Sequence, residues 1–121
     1  MLRNMLVGKI HRATITEANL NYVGSLTVDK TLLDAAGFLP NELVQIYNIS
    51  NGERFETYLL EAEAGSGVVC LNGAAARKGE EGDLIIMVVF TLCDIEEAKK
   101  IKPNVVLVDG ENRILEEFVS A

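Results

Sequence analysis

The sequence predicts a small, mainly β domain built from about seven short strands and two short helices. Apolar and polar residues alternate over segments of strand length, which is the pattern of a sheet with one buried face. Asn51-Gly52 stands between two such segments and is a strong signal for a tight hairpin. With 121 residues, 49% of them hydrophobic, the chain is expected to fold as a single barrel domain over residues 1–121.

The first strands are predicted in the N-terminal quarter. Residues 2–11 mix apolar with basic side chains and fit a strand with one polar face, and the β-forming residues 13–16 continue it. Residues 17–21 are interpreted as a turn or loop. Residues 25–29 alternate again, so Ser25 is expected at the very start of a strand.

A short helix and a hairpin follow. Asp29 can cap a helix over residues 30–36, and Gly37 suits the left-handed residue that ends it. Residues 43–50 and 54–63 are predicted to form the two arms of the hairpin around the Asn-Gly turn.

The second arm of the hairpin carries candidate functional side chains. A period of two puts Arg54, Glu56 and Tyr58 on one face of the strand and Thr57 on the other. A guanidinium can bind a carboxylate through two parallel hydrogen bonds, and a tyrosine keeps its proton at neutral pH. From periodicity alone, an exposed hairpin arginine paired with a neighbouring glutamate is favoured for Arg54, and an ordinary strand threonine for Thr57.

The C-terminal half carries the remaining elements. Residues 72–76 are too small to fill a core and suit a close approach to the backbone. Asp94 can cap a second helix, and the segment after Asn112 has no clear pattern. The predicted elements are strands at 68–71, 83–92 and 104–108 and a helix at 95–100.

Composition excludes some classes of function. A net charge of −7 argues against nucleic-acid binding, which requires clustered basic residues. The longest apolar run, residues 84–90, is far shorter than the roughly 20 residues of a membrane-spanning helix. With no signal-peptide pattern, a cytoplasmic protein without membrane association is expected. Cys70 and Cys93 lie in apolar segments and are interpreted as buried thiols, and no cysteine or histidine has metal-ligand spacing.

The N-terminal segment has a charge of the opposite sign. Residues 1–24 contain three basic residues and one acidic residue. Lys9 and His11, two positions apart, share one face of the first predicted strand. They are either part of a solvated strand face or a receptor for a small anion.

Three segments of the sequence form a combined pattern: Tyr22-Val23-Gly24-Ser25, Lys9-Ile10-His11-Arg12 and Asn72-Gly73-Ala74-Ala75-Ala76. Together they resemble the pyruvoyl-dependent aspartate 1-decarboxylases, proenzymes that cleave themselves between Gly and Ser, and the resemblance runs over residues 1–112. Gly65-Ser66 repeats the dipeptide in a polar turn and lacks this context. The resemblance implies a double-psi β-barrel of six to seven strands that assembles as a homotetramer.

The resemblance also implies self-processing. Ser25 would attack the carbonyl of Gly24, and elimination and hydrolysis would leave a covalent pyruvoyl group at the start of chain 25–121, separate from chain 1–24. Thr57 would donate to the oxygen that becomes charged. The pyruvoyl carbonyl would form an imine with L-aspartate and accept the electrons released with CO2. The product would be β-alanine, a precursor of pantothenate and coenzyme A.

The family implies roles for the other residues of the three segments and of the hairpin. Arg54 would bind one substrate carboxylate, Tyr58 would return a proton after decarboxylation, and Lys9 and His11 would serve the second carboxylate. The segment 72–76 would supply backbone and amide donors. Its residues and the remaining wall residue are Asn72, Gly73, Ala74, Ala75, Ala76 and Tyr22. Tyr47 stands where some family members have tryptophan, and no metal is implied.

Two alternative functions remain open at this stage. One is a pyruvoyl-dependent decarboxylase for another acidic amino acid such as glutamate, because one methylene in a pocket is often worth only about 1–3 kcal/mol. The other is a non-catalytic β-barrel that binds a small anion through Lys9, His11 and Arg54. The rate of cleavage and any need for a maturation factor are not determined by the residues.

Overall fold

The computed structural model describes residues 1–119. Within that range the chain forms nine β-strands, two α-helices and one 3-10 helix. The strands are β1 (Arg3–Thr14), β2 (Glu17–Asn19), β3 (Ser25–Asp29), β4 (Leu43–Asn48), β5 (Arg54–Ala62), β6 (Val69–Asn72), β7 (Leu84–Cys93), β8 (Asn104–Val108) and β9 (Ile114–Val119). The helices are α1 (Lys30–Ala36) and α2 (Ile95–Ala98), and the 3-10 helix spans Gly73–Lys78.

The strands form one mixed sheet that curls into a barrel. Its hydrogen-bonded order is β2-β6-β3-β5-β4-β7-β1-β8-β9. Strands β2 and β1 stand at the two ends of the series that begins with β2 and ends with β1. Because β1 runs almost directly into β2 along the chain, these two ends meet and the sheet closes. Counting β1 and β2 together, the described barrel wall has six strand positions, with β8 and β9 extending it beyond β1. The predicted mainly β, barrel-like fold is confirmed.

The core lies inside this wall. Alternate residues of the strands point inward, and their side chains are completely buried. These inward residues include Ile10, Leu26, Ile46, Leu59, Ile85 and Met87. Helix α1 adds Leu32 and Leu33 to the same cluster. Each such side chain contributes about 1.5–3 kcal/mol of hydrophobic free energy.

Locally specified elements agree with the prediction. Helix α1 has the predicted bounds, with the Asp29 carboxylate accepting from Thr31 N at 2.8 Å and Gly37 at φ 74°. Strands β4 and β5 form the predicted antiparallel hairpin, in which Tyr47 pairs with Arg54 and Gly52 has φ 80°.

Four segments differ from the prediction. Residues 17–19 form strand β2 instead of a loop, because their backbone pairs in parallel with β6. Residues 114–119 form β9 by pairing with β8. Helix α2 ends at Ala98 instead of residue 100. The small-residue segment 72–76 is divided between the end of β6 and the 3-10 helix.

Candidate active site

A cavity of about 460 Å³ brings five of the predicted site residues together. It lies between the end of the loop before β3, the middle of β5 and the start of the 3-10 helix. The five residues that border it are Gly24, Thr57, Tyr58, Ala74 and Ala75. They come from three segments that are far apart in sequence, so the fold itself assembles this part of the candidate site.

Ser25 is buried beside this cavity. It is the first residue of β3, as predicted, and it stands opposite Asn72 in the antiparallel pairing of β3 with β6. The Asn72 Nδ2 group donates hydrogen bonds to Ser25 Oγ at 3.0 Å and to Thr27 Oγ1 at 2.9 Å. The Ser25 hydroxyl is therefore held in a defined environment next to the Gly24-Ser25 peptide bond.

Gly73 is the position at which this site requires a glycine. Its φ is 62°, and an added Cβ would lie 2.7 Å from Gly24 Cα and from the Tyr22 carbonyl oxygen. A Cβ on Gly24 would instead meet Asn72 O at an ordinary 3.7 Å, and Gly24 is not among the residues with positive φ. The position with a left-handed backbone and a close approach is therefore Gly73, not Gly24. Gly73 allows the 3-10 helix to approach the Gly24 backbone.

Arg54 lies next to the cavity but does not border it. Its guanidinium carbon is 3.7 Å from the centroid of the Tyr47 ring, a cation–π contact. The Tyr47 hydroxyl donates to Gln45 Oε1 at 3.1 Å and so helps to hold the ring. None of the ion pairs within residues 1–119 involves Arg54. The pairing with a neighbouring glutamate that periodicity favoured is not formed, and the guanidinium is available at the outer face of β5.

Lys9 and His11 do not border this cavity. Both lie on the outer face of β1, since Ile10 between them is in the core. The residue pairing between neighbouring strands can be followed from β1 through β7 and β4 to β5. It places His11 and Arg54 in the same row across the sheet. Three strand spacings of about 4.8 Å separate the two residues by roughly 14 Å.

His11 has an unusual environment on this face. Burial, followed by the neighbouring charges of Lys9 and Arg12, lowers the pKa of His11. Its Nδ1 atom is buried and has no hydrogen-bond partner within the part of the chain that the structure describes. The imidazole is therefore neutral near pH 7.

The two secondary residues, Tyr22 and Ala76, do not border the cavity. The Tyr22 side chain is exposed, and only its carbonyl approaches Gly73. Ala76 packs partly buried against the core.

Several residues of the site were not predicted. Glu56 and Lys78 also border the cavity, and Lys78 Nζ is 3.1 Å from Glu53 Oε2. Cys70 contacts Asn72 through its thiol. Lys78 could not be found from the sequence because the 3-10 helix that orients it was not predicted. The alternation of β6 placed Cys70 and Asn72 on one face, which was a usable signal.

The two cysteines are free and buried, as expected. Within residues 1–119 no three His, Cys, Asp or Glu side chains are grouped so that they could hold a metal ion. In the same range no helix has the length and apolar character needed to cross a membrane.

The structure is a small barrel in which a buried serine hydroxyl lies beside a glycine, at the edge of a cavity that a tyrosine borders. This arrangement makes the protein a candidate enzyme. The family model described as aspartate decarboxylase matches residues 1–115. Three relatives named aspartate 1-decarboxylase are similar over nearly the whole chain. The protein of Neisseria meningitidis is 60% identical over 114 residues (94% of this chain, 90% of the relative). That of Parabacteroides distasonis is 59% identical over 109 residues (90% and 94%), and that of Pelotomaculum thermopropionicum 55% over 116 residues (96% and 88%). The chain belongs to the aspartate decarboxylase family.

Proposed function

We propose that this protein is a cytoplasmic enzyme that decarboxylates L-aspartate to β-alanine and CO2 and thereby supplies pantothenate and coenzyme A synthesis. Membership of the aspartate decarboxylase family carries the proposal. The position of Gly24-Ser25 beside the cavity supports the proposal, because the group formed by cleavage of this bond would be within reach of a substrate in the cavity.

A covalent pyruvoyl group derived from Ser25 is the proposed cofactor. Its carbonyl would supply the electron sink that decarboxylation requires and that ordinary side chains lack. The local structure fits its formation, since Ser25 Oγ is held by Asn72 and the Gly24 backbone is in close approach to Gly73. No metal is part of the proposal.

Self-processing would use the residues next to this bond. Ser25 Oγ forms a bond to the Gly24 carbonyl carbon, the C–N bond breaks, and the hydroxyl proton moves to the amide nitrogen. Loss of the Ser25 Cα proton then breaks the Cβ–Oγ bond and releases the Gly24 carboxylate. Water adds to the resulting dehydroalanine and ammonia leaves. Thr57 borders the same cavity and is the proposed donor to the Gly24 oxygen during the attack.

The remaining residues would bind substrate and move its proton. Tyr58 borders the cavity and would donate the proton that replaces CO2. Arg54 would bind one carboxylate through its planar fork, with Tyr47 fixing the plane of the guanidinium. Backbone and amide groups of the segment from Asn72 to Ala75 would orient the substrate, and Tyr22 and Ala76 would support the site from outside.

A homotetramer is the proposed assembly, and it would complete the site. Lys9 and His11 are roughly 14 Å from β5 across the sheet, at about 4.8 Å per strand. The outer face that separates them is apolar and open, with Leu43 58% and Phe90 41% exposed. A second copy over this face would bury these side chains and could bring its own Lys9 and His11 to the cavity.

Mass spectrometry and a product assay test the proposal together. Purified protein is expected to contain chains 1–24 and 25–121, the larger one lighter by one ammonia than a fragment that begins with serine, and to form β-alanine from aspartate. Ser25→Ala is the matched control, which is expected to fold, remain uncleaved and form no product. An intact wild-type chain after prolonged warming, or glutamate used as well as aspartate, would contradict the proposal.

A further inference from the structure

Cys70 contacts the group that holds Ser25. Its Sγ atom is 3.1 Å from Asn72 Oδ1, compared with 3.8 Å from Glu17 Oε2 and 3.9 Å from the Leu71 carbonyl oxygen. The Asn72 side chain is thus bonded at both ends, through Oδ1 to a thiol and through Nδ2 to Ser25 and Thr27.

The thiol is the one partner of Asn72 that distinguishes the two ends of the amide. The hydroxyls of Ser25 and Thr27 can each donate or accept, so they would tolerate either orientation. A thiol is weak both as a donor and as an acceptor, but at 3.1 Å Cys70 Sγ faces Oδ1, an oxygen that can only accept, so here the thiol donates. With Cys70 facing Oδ1, both Nδ2 hydrogens are directed at the two hydroxyls.

The orientation of the amide decides where the Ser25 proton lies. In the observed orientation Ser25 Oγ accepts from Asn72, so its own hydrogen is free to point elsewhere. In the flipped orientation the Ser25 hydroxyl would donate to Oδ1, and its proton would be retained. Attack on Gly24 requires this proton to leave Oγ as the new C–O bond forms and to reach the amide nitrogen as the C–N bond breaks.

We propose that Cys70 is a positioning residue for maturation: its thiol fixes the Asn72 amide so that Ser25 Oγ accepts a hydrogen bond and keeps its proton transferable. This inference rests on the proposed self-cleavage and adds to it a residue that never touches the reacting atoms. The same Asn72 donor would also stabilise Oγ when it departs as part of the Gly24 carboxylate.

The surroundings keep Cys70 in the form that can donate. Burial, and after it the charge of Glu17, raises the pKa of the thiol. The sulfur is therefore protonated at neutral pH.

The rate of self-cleavage in four chains tests the inference. Freshly made wild type, Cys70→Ala, Cys70→Ser and Cys93→Ala are followed by intact mass, and thermal unfolding verifies that each is folded. Cys70→Ala loses the donor and is expected to cleave about three- to tenfold more slowly, the effect of one modest hydrogen bond. Cys70→Ser keeps a donor and should restore most of the rate. Cys93, a second buried cysteine in β7, is the matched control and should leave the rate unchanged.

The pattern of rates decides the matter. Equal rates for Cys70→Ala and wild type, or equal slowing by Ala and Ser, would overturn the role of the thiol donor. If Cys70→Ala does not fold, the pair Cys70→Thr and Cys70→Val, similar in volume and different in one hydroxyl, is judged by the same criterion. A wild-type chain that never cleaves would overturn the proposed function as well, which separates the two failures.

Discussion

Tyr58 combines access to solvent with contact to the candidate cavity. It is 36% exposed and borders the cavity together with Gly24 and Thr57. Tyr58→Phe removes the proton donor and keeps the ring, so self-cleavage is expected to proceed normally. Formation of β-alanine should fall by about 10²- to 10⁴-fold, the usual contribution of a general acid. Product formation per fully cleaved chain measures this, and wild-type turnover in the variant would refute the role of Tyr58.

At the level of single residues, the sequence could suggest which residues to look for but not their geometry. Gly24, Thr57 and Tyr58 border one cavity, and their roles there stay a proposal. The need for glycine at position 73 depends on a backbone contact with residues 22–24, which lie far away along the chain. The stacking of Arg54 on Tyr47 depends on the hairpin register, which fixes two side chains as direct neighbours.

Asp29 connects three elements at the junction of β3 and α1. Its carboxylate accepts from Thr31 N at 2.8 Å and from Gly65 N and Gly67 N at 2.9 Å, so it caps the helix and holds the turn before β6. Burial alone would raise the pKa of Asp29, but these backbone N–H groups outweigh it and lower the pKa below its ordinary value. The stabilisation is therefore fully present above the ordinary pKa of about 3.9 and is lost as the pH falls through the lower pKa of the folded state.

Asp29→Asn should weaken this junction. An amide presents N–H groups where the backbone requires acceptors, and a loss of about 1–3 kcal/mol in the free energy of unfolding at neutral pH is expected. The measurement is denaturant unfolding between acid and neutral pH, made in the uncleaved Ser25→Ala background. The difference between the two chains should shrink at acid pH. Asp34→Asn, which removes only an exposed ion pair with Lys30, is the control and should cost less than about 1 kcal/mol.

Elements with local signals were predictable, and elements created by pairing were not. Helix α1 has its cap and its terminal glycine within nine residues, and the hairpin has its turn in adjacent residues. Strand β2 has three residues and exists because β6 lies beside it, and β9 exists because β8 does. Neither segment has an alternation of apolar and polar residues that would indicate its partner strand. The 3-10 helix likewise follows from the turn at Gly73, whose conformation the surrounding backbone requires.

Within one chain, the residues of the proposed site lie in two separate groups. Gly24 and Tyr58 border one cavity, with Ser25 buried beside it, whereas Lys9 and His11 lie on β1, beyond β4 and β7. A net charge of −7 makes local cations important for a dicarboxylate, because the protein as a whole repels it. Three strand spacings, roughly 14 Å, separate the backbone that carries Lys9 from the strand that carries Tyr58. In the proposed homotetramer, Lys9 of a second copy would reach the cavity instead.

A shared site predicts complementation between two defective variants. Lys9→Ala damages the contribution of one copy and Tyr58→Phe that of the other, so each homo-oligomer should have little activity. In mixed oligomers made by co-expression, random assembly gives about a quarter of the sites both intact contributions. Recovery of roughly that fraction of wild-type β-alanine formation is expected. Both variants should cleave fully, which intact mass verifies, and co-expressed Tyr58→Phe with Ser25→Ala is the control, since both changes affect the same cavity of one chain. Activity no higher than that of the separate variants would show that Lys9 does not act across copies.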